Sequence, residues 1–100
     1  MNKDLKAHYE SLMLKAKELA ESKFSATFVA VGKNVLLLRK KSVGLTSRAY
    51  LTIKVNLHTM SFHDGHYDMD FDGAIENFKG RVNDSSFNPA LDTPAMKGGQ

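Results

Sequence analysis

The run Ala49-Tyr50-Leu51-Thr52-Ile53-Lys54-Val55-Asn56-Leu57-His58 reads as one β-strand, and the rest of the chain is arranged by what that strand must bury. Leu51, Ile53, Val55 and Leu57 alternate with Thr52, Lys54, Asn56 and His58, and alternation at period two puts the four aliphatics on one face of a sheet. An apolar layer must cover that face. Tyr50, Thr52, Lys54, Asn56 and His58 turn toward water or a partner on the other.

Upstream, Leu5, Tyr9, Leu12, Met13, Ala16, Leu19 and Ala20 recur at steps of three and four, which predicts an amphipathic helix over residues 3–22 and supplies the cover. Residues 24–31 and 35–41 are β-rich runs joined through Gly32-Lys33-Asn34, a combination that provides the positive φ angles of a tight hairpin. Val35 to Leu38 is unbroken apolar and residues 26–31 are apolar on both faces, so one hairpin face is expected to lack a helix above it. Ser42 to Arg48 returns the chain to the strand at 49–58, giving a three-stranded meander.

Beyond Leu57 the apolar phase slips to Met60 and Phe62, which predicts a bend near His58-Thr59. Asp64-Gly65 then reads as a hairpin turn that sets Phe62 opposite Tyr67 and Met60 opposite Met69, with a short fourth strand. From Asp72, Ala74, Ile75, Phe78 and Val82 resume helical spacing, capped by Asp70 or Asp72. The expected architecture is α+β: an N-terminal helix, an antiparallel meander of three to four strands, and a second helix on the same face. One domain spans 1–84, followed by an irregular tail, 85–100, rich in Asn, Asp, Ser, Pro and Gly, whose Phe87, Leu91 and Met96 can anchor it. This order of helix, meander and helix is similar to that of double-stranded-RNA-binding domains, although those carry a lysine cluster where this second helix begins with Asp70, Asp72 and Glu76.

Charge separates strongly along the chain. The net charge is +3, yet no acid occurs between Glu21 and Asp64, an interval that holds Lys23, Lys33, Arg39, Lys40, Lys41, Arg48 and Lys54. Residues 64–100 are acidic. A basic sheet of this kind points to an anionic partner, either nucleic acid or an acidic protein surface, with Lys33, Arg39, Lys40, Lys41, Arg48, Lys54 and Tyr50 as the binding set. The opposing view is that Asp64, Asp68, Asp70 and Asp72 fold back and neutralise these cations within the molecule.

With no cysteine, the chain excludes disulfides, thiol nucleophiles and thiolate metal sites, in keeping with a cytoplasmic setting. Charged residues interrupt the first twenty positions, so neither a signal-peptide core nor a membrane span is expected. Asp68-Met69-Asp70-Phe71-Asp72-Gly73 matches the opening of a calcium loop, but Lys79 occupies the place of its bidentate glutamate. His58, His63 and His66 with Asp64 and Asp68 form the densest group of ligand-type side chains, without the framework of a known zinc motif.

These observations favour a small non-enzymatic binding module with no cofactor, no metal and no catalytic residue, contacting nucleic acid or an assembly that handles it. A second reading is a protein-interaction module, such as a phage or mobile-element inhibitor of a host complex, using the uncovered hairpin face. That face would also serve a homodimer. A third is a metal-dependent enzyme built on His58, His63, His66 and Asp68.

Overall fold

The computed structural model describes residues 3–41 and 48–95. Helix α1 (Lys3–Phe24) leads into four strands, β1 (Ala26–Gly32), β2 (Val35–Lys40), β3 (Tyr50–Asn56) and β4 (Ser61–Met69), followed by α2 (Phe71–Asp84) and a short α3 (Pro89–Asp92). The strands pair antiparallel in the order β1-β2-β3-β4. This is the expected α+β meander between helices.

The register assigns the two faces. Leu36 pairs with Ile53 and Leu38 with Leu51, and these side chains join Val55 and Leu57 in one cluster with Met13, Ala16 and Ala20 of α1. The small Ala16 and Ala20 let the helix approach the sheet closely, and both are completely buried. Successive strand residues point to opposite faces, so Val35, Leu37 and Thr52 face away from α1. That second face is covered by α2, whose Asn77 and Arg81 reach Thr52 and whose Val82 and Phe78 lie against Gly32.

The two helices therefore sit on opposite faces, not on the same face as the strand pattern suggested. The physical reason lies in β2: four consecutive leucine and valine side chains, all fully buried, need an apolar layer on each side. Among the described residues no hairpin face is left without a helix, which removes the ground for a homodimer through one. The mixed pattern of β1 resolves in the same way. A bulge at Val29, which is 40% exposed, switches the phase, so that Ala26, Phe28 and Val31 face α1 while Ala30 and Gly32 face α2. Glu21 Oε2 accepts a hydrogen bond from Phe28 N at 2.8 Å, placing a carboxylate on the edge strand where another chain could otherwise pair.

The expected bend after Leu57 is a full reversal. Asn56 Oδ1 accepts from His58 N at 2.9 Å and Thr59 N at 3.3 Å, and Met60 turns the corner with φ 55°. Asp64-Gly65 is not a hairpin turn, because β4 runs straight through it. Met69, His66 and His63 face Tyr50, Thr52 and Lys54 in succession, so β4 spends an extra residue at each of two irregularities. Asp64 and Asp68 take up these residues with φ 54° and 59°, a left-handed conformation that aspartate tolerates better than most side chains. Asp-Gly thus marks a local left-handed site, but one inside a strand.

Asp70 caps α2 as expected, its Oδ1 accepting from Gly73 N at 2.7 Å, which gives Asp68 to Gly73 the form of a strand end and helix cap. The tail is more ordered than its composition implies. Ser85 Oγ donates to Asn34 Oδ1 at 3.1 Å and Lys33 Nζ to Ser85 O at 3.0 Å, which carries the chain past the β1–β2 turn to the α1 side. There Phe87 packs on Tyr9 with ring centroids 5.8 Å apart. His8 Nε2 meets Pro94 O at 2.7 Å, while Leu91 stays 75% exposed. Met96 lies outside the described residues, as does most of the Ser42–Arg48 connection. No helix among the described residues is long and apolar enough to cross a membrane.

Candidate nucleic-acid interface

The seven residues of the expected binding set do not share one open sheet face, because helices cover both. They divide between the ends of the sheet. Arg39 pairs with Tyr50, Lys40 N bonds Ala49 O at 2.9 Å and Lys41 N bonds Ser25 O at 2.9 Å, and Arg48 Nε donates to Asp68 O at 3.0 Å. Arg39, Lys40, Lys41, Arg48 and Tyr50 are thereby gathered at the end of the sheet where β2 finishes and β3 begins. Lys23, in the last turn of α1, arrives at the same end just before Ser25. Lys33 and Lys54 sit at the opposite end, near the β1–β2 turn.

Aromatic rings interleave with the gathered cations. On the α1 side, Lys40 Nζ lies 5.7 Å from the centroid of Tyr67. On the α2 side, Arg39 Cζ lies 6.0 Å from Tyr50, whose ring meets Phe71 edge-on at 5.4 Å. Tyr67 and Phe71 are 45% and 49% exposed. Both were missed from sequence, where Tyr67 read as the hairpin partner of Phe62 and Phe71 stood only inside the calcium-loop-like run from Asp68 to Gly73. Asp68 and Asp70 fall between these two rings along the chain, and Asp72 follows the second. Of the carboxylates expected to fold back on the sheet, Asp64 Oδ2 pairs with its own neighbour, His63 Nδ1, at 3.1 Å while also feeling the charge of Lys54, and Asp70 is engaged as the cap of α2.

A second polar constellation fills the contact between α2 and the sheet. Thr52, fully buried, donates from Oγ1 to Asn77 Oδ1 at 2.6 Å and accepts from Arg81 at 2.8 Å. Asn77 Nδ2 reaches His66 Nδ1 at 2.9 Å, and Arg81 also bonds the carbonyl of Asp64. Burial draws the Arg81 pKa down, against the opposing pull of Asp64. The Asp64 carboxyl is held below its usual range, chiefly by its hydrogen bond with His63 and further by the charges of His63, Lys54 and Arg81. These groups serve to seat α2. Arg81 stands three residues after Phe78 and seven after Ala74, so it shares their stripe, and that spacing was the sequence signal for its inward position.

The remaining candidates separate. Thr52 stands opposite His66 and Lys54 opposite His63, so the two histidines follow one another along β4 and do not face each other across a turn. Asp68 meets Arg48 through its backbone carbonyl. Among the described residues no three histidine or carboxylate side chains converge as metal ligands, and His58, His63, His66 and Asp68 are not brought together. His58 and His63 instead line an open cleft of about 320 Å³ with Lys54, Asn56, Asp84 and Asp92. Comparison of this chain with protein-family models, with curated proteins and with solved structures found no match.

Proposed function

We propose that the chain is a small non-enzymatic binding module that contacts nucleic acid, or an assembly that handles it, through the cation-rich end of its sheet. The observation that carries this reading is the convergence of Arg39, Lys40 and Lys41 with Arg48 at adjoining strand ends, joined there by the last turn of α1. Cations clustered on one part of a small domain raise the local concentration of a polyanion, and each phosphate they neutralise releases counterions. Lys33 and Lys54, at the far end, take no part in this contact.

The experiment is a salt titration of binding to random DNA and RNA. Wild-type protein should bind at about 20 mM salt and weaken as salt rises, with a slope that reports the number of phosphate contacts. Lys40→Glu combined with Lys41→Glu should weaken binding to all sequences alike and flatten that slope. Absence of binding at low salt would redirect the reading to an acidic protein surface docked on the same cations, the partner of an inhibitor-type module. Affinity purification with and without nuclease would then identify that partner.

A further inference from the structure

Resting on the reading above, we infer that the ligand is single-stranded, with its bases stacked on Tyr67 and Phe71 and its phosphates on Arg39, Lys40, Lys41 and Arg48. The first ground is exposure. Tyr67 and Phe71 keep about half their surface in water, although each has ring neighbours in the fold: Phe24 lies 6.4 Å from Tyr67 and Tyr50 lies 5.4 Å from Phe71. Each ring is thus held in place by a neighbouring ring while about half of its residue's surface stays outward. An added Cβ at Gly65 would come within 2.6 Å of three Tyr67 ring and hydroxyl atoms, so that glycine is what allows the tyrosine to lie down over β4.

The second ground is that a cation accompanies each exposed ring: Lys40 lies over Tyr67 itself, and Arg39 lies over Tyr50, the ring neighbour of Phe71. Side chains alternate along β2, which sends Lys40 to the Tyr67 side of the sheet and Arg39 to the side of Tyr50 and Phe71. A base and its phosphate would meet a ring and a cation together on either side, the combination that single-strand binders use.

The third ground is the position of the acids. Asp68, Asp70 and Asp72 adjoin the two ring residues in sequence, and the Asp70 carboxylate is engaged at the start of α2. A duplex cannot offer these rings a base face, because its bases are paired and stacked, and it would press some of its phosphates toward these carboxylates. A single strand can turn its phosphates to the cations and its bases to the rings. Carboxylates beside a stacked base then become acceptors for base N–H groups instead of repelling a backbone.

The test measures fluorescence anisotropy of the full chain with three labelled probes of one mixed sequence: single-stranded RNA, single-stranded DNA and the DNA duplex. Tyr67→Leu and Phe71→Leu keep apolar bulk while removing the aromatic face, and circular dichroism confirms that they fold. Each should lose about fivefold to a hundredfold in affinity for a single strand, with no change in salt slope, because no phosphate contact is removed. Duplex binding should be weaker than single-strand binding and unaffected by either variant. The RNA and DNA arms report whether the sugar matters, and preference for either strand over the duplex supports the inference. Equal affinity for duplex and single strands, or leucine variants that bind single strands as wild type does, would overturn it while leaving the nucleic-acid reading in place. Failure of all three probes to bind at low salt would overturn both.

Discussion

Replacing Gly32 by alanine puts a methyl group into the contact that seats α2 on the sheet. The new carbon would lie 2.8 Å from Val82 Cγ2, 3.1 Å from Val82 Cγ1 and 3.5 Å from Phe78 Cζ, where carbon atoms prefer about 3.5–4.0 Å. Val82 is β-branched and stiff about χ1, so it cannot swing clear and the helix must move. Gly32 has an extended backbone that alanine also adopts, and a less flexible unfolded chain returns about 0.4–1 kcal/mol. Overpacking costs about 1–3 kcal/mol, and the expected net loss is therefore about 1–2 kcal/mol. In a domain of this size that lowers the thermal midpoint by roughly 5–15 °C.

Urea unfolding followed by circular dichroism measures the loss, and Val82→Ala supplies the control. Val82→Ala alone should destabilise by leaving a gap, yet in the double variant the methyl group introduced by Gly32→Ala occupies the space that the valine vacated. The double variant should then be more stable than the sum of the single effects by about 1 kcal/mol. Strict additivity, or a Gly32→Ala protein as stable as wild type, would mean that α2 does not press on β1 from the face opposite α1.

Other outcomes follow from the same contacts. Ile53, 2% exposed in the α1-facing core, should cost about 2–5 kcal/mol when cut to alanine, and an unchanged urea midpoint would show that this face is not core. Thr52→Val keeps the shape but strips Asn77 and Arg81 of the hydroxyl between them, for a loss of about 1–3 kcal/mol; a thermal midpoint equal to wild type would show that the network contributes nothing. Burial, and to a smaller degree Glu10, raises the Tyr9 pKa above its ordinary value. Since the folded-state pKa is the higher one, the stability this neutral phenol contributes is complete below about pH 10. It fades as pH rises through the folded value. Tyr9→Phe removes the hydroxyl bonded to Lys33 O, so it should be less stable near neutrality and lose less than wild type as pH rises above about 10; parallel pH profiles would contradict this.

How far the chain can be read without its tertiary structure differs between elements. The alternation from Leu51 to Leu57, the helical stripe from Leu5 to Ala20 and the Asp70 cap are each visible because the determining interactions are local. Strand pleat, helix pitch and a side chain bonding a backbone amide three residues on all repeat at fixed sequence spacing. Even the phase slip after Leu57 was readable as a change of direction, since the turn is built by Asn56 on its own neighbours. The route of β4 was not, because a left-handed aspartate serves a hairpin turn and a bulge equally well. Only the pairing of His63 with Lys54 and His66 with Thr52 selects the bulge.

The sequence by itself determined the α+β class, the order of the elements, the face of β3 that is core and the separation of basic from acidic segments. Tertiary structure decided which side α2 takes, and with it the fate of every residue on the second face. Four buried aliphatics in β2 need two covers, but a periodicity signal states only that a face is apolar and not which helix meets it. The same limit applies to the candidate interface. The Arg39 to Lys41 run was plain as charge, whereas its union with Arg48, Lys23, Tyr67 and Phe71 depends on strand register and on a bulge that lays Tyr67 beside Lys40. Contacts between residues far apart in the chain are set by packing of the whole sheet between its two helices, and no local spacing encodes them.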